Sequence, residues 1–239
     1  MANGMSFSEM QLELSDRVSA FDNTVSDDLT KIKRWLNIAQ REICGRKNWP
    51  FLVGHEIVQT VPDITTGTIS INSGSTSLTF SSAPAVSVSE YFIQFESDTN
   101  WYQIVSHTAA STSATITPSY GGTSNLSGST YKVRKLFYST STPFDSILDM
   151  KNTNDGRIIT SASPREIDVL YPLYYDAGAI YQYINSITSS TGNMRFSFIY
   201  SPDTVENIQI RGIKTVVDMS ANTDQSIIPG RWCSTILDL

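Results

Sequence analysis

Residues 27–52, DDLTKIKRWLNIAQREICGRKNWPFL, constrain the fold more than any other stretch of the chain. Leu29, Ile32, Leu36, Ala39 and Ile43 recur at three- and four-residue steps, so a helix through them carries one apolar stripe that must be covered. Ser26 is placed to cap this helix, and Asp27 and Asp28 lie in its first turn, where the helix dipole favours carboxylates. Arg41, Arg46 and Lys47 gather toward its other end. Gly45 or the Asn48-Trp49 pair ends it, and Pro50 forbids continuation because it lacks an N–H and collides with the preceding turn. The cover lies upstream. Ser6 and Glu9 have capping-box spacing, and Phe7, Met10, Leu14, Val18 and Phe21 form a second stripe over about 7–20, broken at Asp22-Asn23. The connection is short, which predicts an antiparallel helix hairpin.

From Glu56 the periodicity changes to alternation. Thr68-Ile69-Ser70-Ile71, Tyr91-Phe92-Ile93-Gln94-Phe95, Tyr102-Gln103-Ile104-Val105, Thr115-Ile116-Thr117 and Tyr131-Lys132-Val133 are separated by turn clusters such as Asn72-Ser73-Gly74 and Gly121-Gly122. Short strands at this spacing predict a small antiparallel barrel or sandwich. Beyond it, 145–150 and 157–160 read as strands around the loop 152–156, and Ser163-Pro164-Arg165-Glu166 opens a short helix that Pro172 closes. Residues 180–187, 194–200 and 207–217 predict a β-meander, with Phe196 and Phe198 on one face and Arg195 and Ser197 on the other. Pro229 opens a terminal element carrying Trp232, Ile236 and Leu239, too short to be stable without a partner surface. The fold class is therefore α+β: a helix hairpin (1–55), an inserted Ser/Thr-rich antiparallel β-barrel or sandwich (56–138), a short helix and β-meander returning to the core (139–228), and a C-terminal helical segment (229–239).

Composition narrows the function. Charged residues are 17% of the chain, and abundant Ser and Thr suit pleated surfaces. A net charge of -6 argues against a dedicated nucleic-acid binder, which needs cations to neutralise phosphates. Residues 48–131 contain no Lys or Arg, while Asp63, Glu90, Glu96 and Asp98 are acidic. Cys44 and Cys233 are too few for a disulfide scaffold or a zinc site. Cys44 reads as a buried thiol, with a disulfide between the two as the less favoured alternative in a reducing compartment. The N-terminus lacks a basic region followed by an apolar run, and no apolar stretch approaches membrane-spanning length.

The residues that carry chemistry are sparse. His55 and His107 have no neighbour at ligand spacing and read as surface or hairpin-end residues. There is no G-x-S-x-G elbow, and no Lys-Ser/Thr follows Gly121-Gly122 as a phosphate loop requires. The acidic residues near Asp98 and at Asp145 and Asp149 read as solvated turns. No catalytic, cofactor-binding or metal-binding residue is expected, and the chain is not expected to be an enzyme. Lys31, Lys33 and Arg34 beside Trp35 leave room for a partner, because Trp and Arg concentrate at interface hot spots. Arg46 and Lys47 read as a solvated, dipole-matched helix end. Trp101 and Tyr102 follow a turn, and alternation exposes one of them.

The order of these elements, with certain residues in them, resembles the head-to-tail adaptor (connector) proteins of tailed bacteriophages. The match is carried by Asn37, Ala39, Gln40, Glu42 and Ile43, by Trp49-Pro50-Phe51-Leu52, by the pattern P-S-Y-G-G-x-S-x-L-S-G-S-x-Y-x-V over 118–133, and by Ile227-Ile228-Pro229. The resemblance implies a structural virion protein of the neck, assembled in the host cytoplasm. It would form a ring, typically of twelve copies, beneath the portal protein. The tail nozzle or next neck ring would lie on the other side, and packaged DNA would pass through the lumen without sequence-specific binding. An acidic lumen lets DNA slide where a basic one would hold phosphates. No membrane partner and no cofactor are implied. Candidate portal or subunit contacts are Lys31, Arg34, Trp35, Trp232, Ile236 and Leu239, although the chain ends early in its last helix for an embracing tail. Trp49, Pro50 and Phe51 form the expected structural junction that holds helical and β-parts at a fixed angle. The alternative is a carbohydrate- or receptor-binding β-module of a tail fibre or secreted protein, with Trp101 stacking on a sugar. A hydrolase built from distant Asp, Glu and His has the least support.

Overall fold

The computed structural model describes residues 5–18, 22, 24–96, 98–165, 176–186 and 193–238. They form an α+β protein with an N-terminal helix pair and two large sheets. The chain divides into two compact units. Met1–His55, Pro143–Leu148 and Arg211–Leu239 make up one, and Glu56–Thr142 with Asp149–Ile210 the other.

In the first unit, helix α1 (Phe7–Arg17) begins with the expected capping box: the Glu9 amide donates to Ser6 Oγ at 3.3 Å and the Ser6 amide donates to Glu9 Oε2 at 2.7 Å. Helix α2 (Ser26–Gly45) starts one residue earlier than expected. Val25 is its N-cap and its carbonyl accepts the Leu29 amide at 2.9 Å, so Ser26 is already helical and cannot cap. The helix stops at Gly45, which leaves Arg46 as the C-cap and Lys47 beyond it. Phe7, Met10 and Leu14 of α1 pack with Ile32, Leu36 and Ile43 of α2. The helical part of the terminal element, α3 (Ser234–Leu237), adds Ile236 and Leu237 to the same core. Cys44 and Cys233 are buried free thiols, not a disulfide, and burial pushes both pKa values up.

The motif N-x-A-Q in α2 has a structural task. Asn37 Nδ2 donates to the Met219 carbonyl and its Oδ1 accepts the Met219 amide, both at 2.9 Å. Gln40 Nε2 donates to the Val217 carbonyl at 3.1 Å, and its Oε1 accepts from Ser226 Oγ at 2.6 Å. Asn37 thus pairs with backbone as a strand would, Gln40 bonds one backbone carbonyl and one hydroxyl, and Ala39 between them packs into the core. On the other helix, the Phe7 amide donates to the Asp224 carbonyl at 2.7 Å. The segment 217–226 is therefore clamped by both helices, which brings α3 back onto them.

Phe144 sets a second local constraint. It opens strand β10 (Phe144–Asn152), and its ring lies against two glycines, Gly54 of β1 (Val53–Gln59) and Gly212 of β14 (Asn207–Lys214). A Cβ on Gly212 would stand 2.7 Å from Phe144 Cδ1 and 2.7 Å from the Ser146 carbonyl oxygen. Gly212→Ala is therefore expected to cost about 1–3 kcal/mol through overpacking. Gly45→Ala, where nothing lies within 4 Å, is expected to be neutral or slightly stabilising. Equal urea midpoints for the two variants would contradict this.

The second unit contains a nearly closed barrel of β2 (Ile69–Ile71), β3 (Ser77–Phe80), β4 (Phe92–Phe95), β5 (Trp101–His107), β6 (Ser113–Thr117), β7 (Leu126–Ser129) and β8 (Tyr131–Arg134). Their order is β7-β2-β3-β6-β5-β4-β8. Only Thr130 separates β7 from β8, so one continuous run pairs with β2 through its first half and β4 through its second. That run joins the two ends of the sheet and removes an open edge. Alternation directs Ile69, Ile71, Leu78, Phe80, Ile104 and Ile116 inward. A bulge at Val105, between Ile104 and Ser106, tightens the curvature of β5.

The other sheet has the order β1-β14-β10-β11-β12-β13-β9, with β9 at Phe137–Ser139, β11 at Ile158–Ser161, β12 at Gln182–Ser186 and β13 at Arg195–Phe198. The expected three-stranded meander is corrected here. β12 and β13 do pair antiparallel, Tyr183 opposite Phe198, but β14 lies between β1 and β10. The free edge of β13 is taken by β9, where Tyr138 stacks on Phe196 at 6.1 Å and contacts Phe198 at 5.3 Å. Phe196 and Phe198 are buried on one face, but Ser197 on the other is buried as well. β11 and β12 run parallel, which requires a long crossover between them. Pro164 and Arg165 are helical, but the rest of the expected Pro-capped helix, like the expected turn at 189–192, lies outside the described residues. Strand β1 pairs in this second sheet, so Glu56, placed at the start of the expected insert, is outside the barrel. Its carboxylate accepts from the Ser141 amide and hydroxyl and the Thr142 amide at 2.7–2.9 Å. Burial raises its pKa, but these hydrogen bonds outweigh burial and hold it below its ordinary value.

Candidate functional site

The first unit carries an apolar groove of about 650 Å³. It is built where α2 stops and the C-terminal segment returns. Trp49 is fixed by its Nε1–H, which donates to the Ile43 carbonyl at 2.7 Å, and by stacking on Phe51 with centroids 5.7 Å apart. Pro50 opens a 3-10 turn, Pro50–Leu52, that sends Leu52 into the core and leaves Trp49 and Phe51 half-buried. Ile228, Pro229 and Trp232 supply the facing wall, and Trp232 remains 52% exposed. Arg46 and Lys47 line the same groove. Arg46 Nη2 pairs with Glu42 at 2.9 Å, and the Lys47 ammonium lies 3.8 Å from the Trp49 ring centroid. The expected junction residues and the expected docking residue Trp232 thus form one site, which spacing along the chain did not reveal.

The other expected contacts separate. Lys31 is exposed and pairs with Asp28 at 3.2 Å, and Arg34 is exposed on the same helix. Trp35, 50% exposed, lines a smaller concavity of about 150 Å³ with Ile38, Leu14 and Ile236. Ile236 is 2% exposed and belongs to the core, so its place as a docking residue is corrected to a packing one: the α3 turn directs it inward between α1 and α2. Leu239 lies outside the described residues.

The chemistry-bearing side chains of the second unit are occupied structurally. His55, which belongs to the first unit, is exposed; in the second unit His107 is buried at the end of β5, so of the two readings, surface or hairpin end, it is a hairpin-end residue. Its Nδ1 accepts the Val88 amide at 3.2 Å and its Nε2 bonds the Ser111 carbonyl at 3.0 Å, the tautomer with hydrogen on Nε2. Tyr102 is buried and donates to Asp98 at 2.5 Å. The Trp101 ring centroid lies 5.2 Å from the guanidinium of Arg134, so Trp101 is engaged with a buried ion pair. In that pair Arg134 Nε and Nη2 donate to Asp63 at 2.8 and 2.6 Å, with the two side chains 1% and 15% exposed. Lys135 is held between the rings of Tyr91 and Tyr138, 5.6 and 4.7 Å from their centroids, and burial lowers its pKa. Neither arrangement has a motif; each depends on partners distant in sequence.

Glu206 is the converse of Glu56. Burial is the largest cause of its raised pKa; Asn152 and Arg157 oppose the rise, and Asp155 and Asp203 add to it. A carboxyl whose folded pKa lies above its unfolded value binds its proton more tightly when folded. Ionising it costs stability at neutral pH, and that cost disappears as pH falls below the unfolded value. Glu206→Gln is therefore expected to raise the melting temperature at pH 7 and not at pH 4. Equal shifts at both would show that ionisation is not the cause.

Among the described residues, no three His, Cys, Asp or Glu side chains gather as metal ligands, and no helix is long and apolar enough to cross a membrane. The arrangement can bind an apolar segment flanked by opposite charge. The chain matches no protein-family model and no curated protein.

Proposed function

We propose that this chain is a structural virion protein, a ring-forming adaptor that joins the portal vertex of a tailed bacteriophage to its tail and encloses the DNA channel. The observation that carries the reading is the half-exposed Trp232 beside Trp49 and Phe51 in a basic-rimmed apolar groove on the helical unit. Aromatic anchors in an apolar pocket beside an Arg are the usual composition of an interaction hot spot. The element order, an N-terminal helix pair followed by a Ser/Thr-rich barrel, supports the same reading. In such a ring the helical unit meets the portal and neighbouring copies, and the acidic barrel serves the tail side. The copy number expected by resemblance is twelve.

Native mass measurement and negative-stain imaging of the chain alone and with a portal ring test the proposal. Rings that cap the portal are expected; a chain that stays monomeric and never binds a portal would refute the reading. Trp232→Asp is expected to weaken assembly at least about tenfold while leaving the fold intact. Ile236→Asp is expected to unfold the helical unit, because it buries a charge in the core.

A further inference from the structure

The first unit carries a second exposed patch with the opposite chemistry. Leu12 on α1 is 52% exposed, and its helical neighbours Glu9, Glu13 and Asp16 are acidic. These stand at steps of three, one and four residues from Leu12, so Glu9 and Asp16 flank it along the same face. An isolated exposed leucine needs no explanation, but one bordered by carboxylates is the counterpart of an apolar groove bordered by Arg46 and Lys47.

We propose that the Leu12 face of α1 from a second copy of this chain occupies the Trp49–Trp232 groove, with its carboxylates meeting Lys47 and Arg46. This rests on the ring-forming reading above and names the occupant of that groove. Charge favours this occupant over a basic segment, which the rim would repel. Glu9 stays committed to its capping bonds with Ser6, which leaves Glu13 and Asp16 to meet the rim; Glu13–Arg17 and Arg46–Glu42, each 2.9 Å, are exposed i,i+4 pairs that exchange partners at little cost. The two patches are different surfaces of one unit, so the contact is heterologous. Each copy gives one helix face and receives one, and a fixed rotation between copies closes a ring.

Sedimentation velocity of the full chain tests the proposal. Leu12→Glu and Lys47→Glu are each expected to weaken self-association at least about tenfold. Both positions are exposed, so the fold should survive, as far-UV circular dichroism will verify. Combining Lys47→Glu with Asp16→Lys is expected to restore assembly, which a merely structural role of either residue would not do. Unchanged assembly in Leu12→Glu, or no recovery in the charge-swapped pair, overturns the proposal. Intact self-assembly with lost portal binding also overturns it and assigns the groove to the portal, leaving the adaptor reading in place. A chain that neither assembles nor binds a portal overturns both.

Discussion

Asp63→Ala is expected to destabilise the β-rich unit by about 3–5 kcal/mol, the usual cost of removing one partner from a buried ion pair. Arg134 is 1% exposed and donates two hydrogen bonds to this one carboxylate, while its Nη1 has no hydrogen-bond partner. Without Asp63 the guanidinium, itself 1% exposed, is left without its counter-charge. At this chain length the loss corresponds to a drop in melting temperature on the order of 10 °C. The double variant Asp63→Ala with Arg134→Met is expected to recover most of it, because an apolar side chain of similar length needs no counter-charge. Urea unfolding followed by tryptophan fluorescence measures both, since Trp101 lies against Arg134. A single-variant loss under about 1 kcal/mol would mean that Arg134 finds another partner or water, and would remove the pair from the account of stability.

The second large effect is expected at Asn37. Asn37→Ala leaves the Met219 amide and carbonyl unpaired in the core of the helical unit, at about 1–3 kcal/mol for each buried group. The sum is bounded by relaxation of 217–226 toward water, so a total of about 2–4 kcal/mol is expected. Asn37→Asp distinguishes pairing from packing. It keeps the shape and the acceptor for the Met219 amide but places a carboxylate oxygen against the Met219 carbonyl. It should therefore be nearly as harmful as alanine, whereas a packing role would tolerate it. Amide hydrogen exchange localises the effect: Met219 should lose protection before the α2 backbone does. Protection at Met219 that survived Asn37→Ala would sink this account.

These two sites mark how far the sequence can be read. The stripes of α1 and α2 were legible because helical periodicity is local and each stripe repeats every turn. The barrel strands were legible as alternation for the same reason. The Asn37–Met219 clamp was visible only as an unexplained motif, because its partner lies 182 residues away. The Arg134–Asp63 pair had no signal at all: one carboxylate and one guanidinium, 71 residues apart, look like ordinary surface charges. The meander failed because strand order depends on which edges compete for β13, and β9 wins by stacking Tyr138 on Phe196.

The sequence by itself determined the helix pair, the stop at Trp49-Pro50-Phe51, the Ser/Thr-rich strands and the absence of any recognisable catalytic motif. Local sterics, periodicity and turn chemistry suffice for these. Only the tertiary structure decided that the stop and the returning terminal element line one groove, that Ile236 faces the core while Trp232 faces outward, and that His107 is buried. Those outcomes depend on long-range burial and hydrogen-bond satisfaction, which distribute the same residue types between core and surface in ways no single segment encodes.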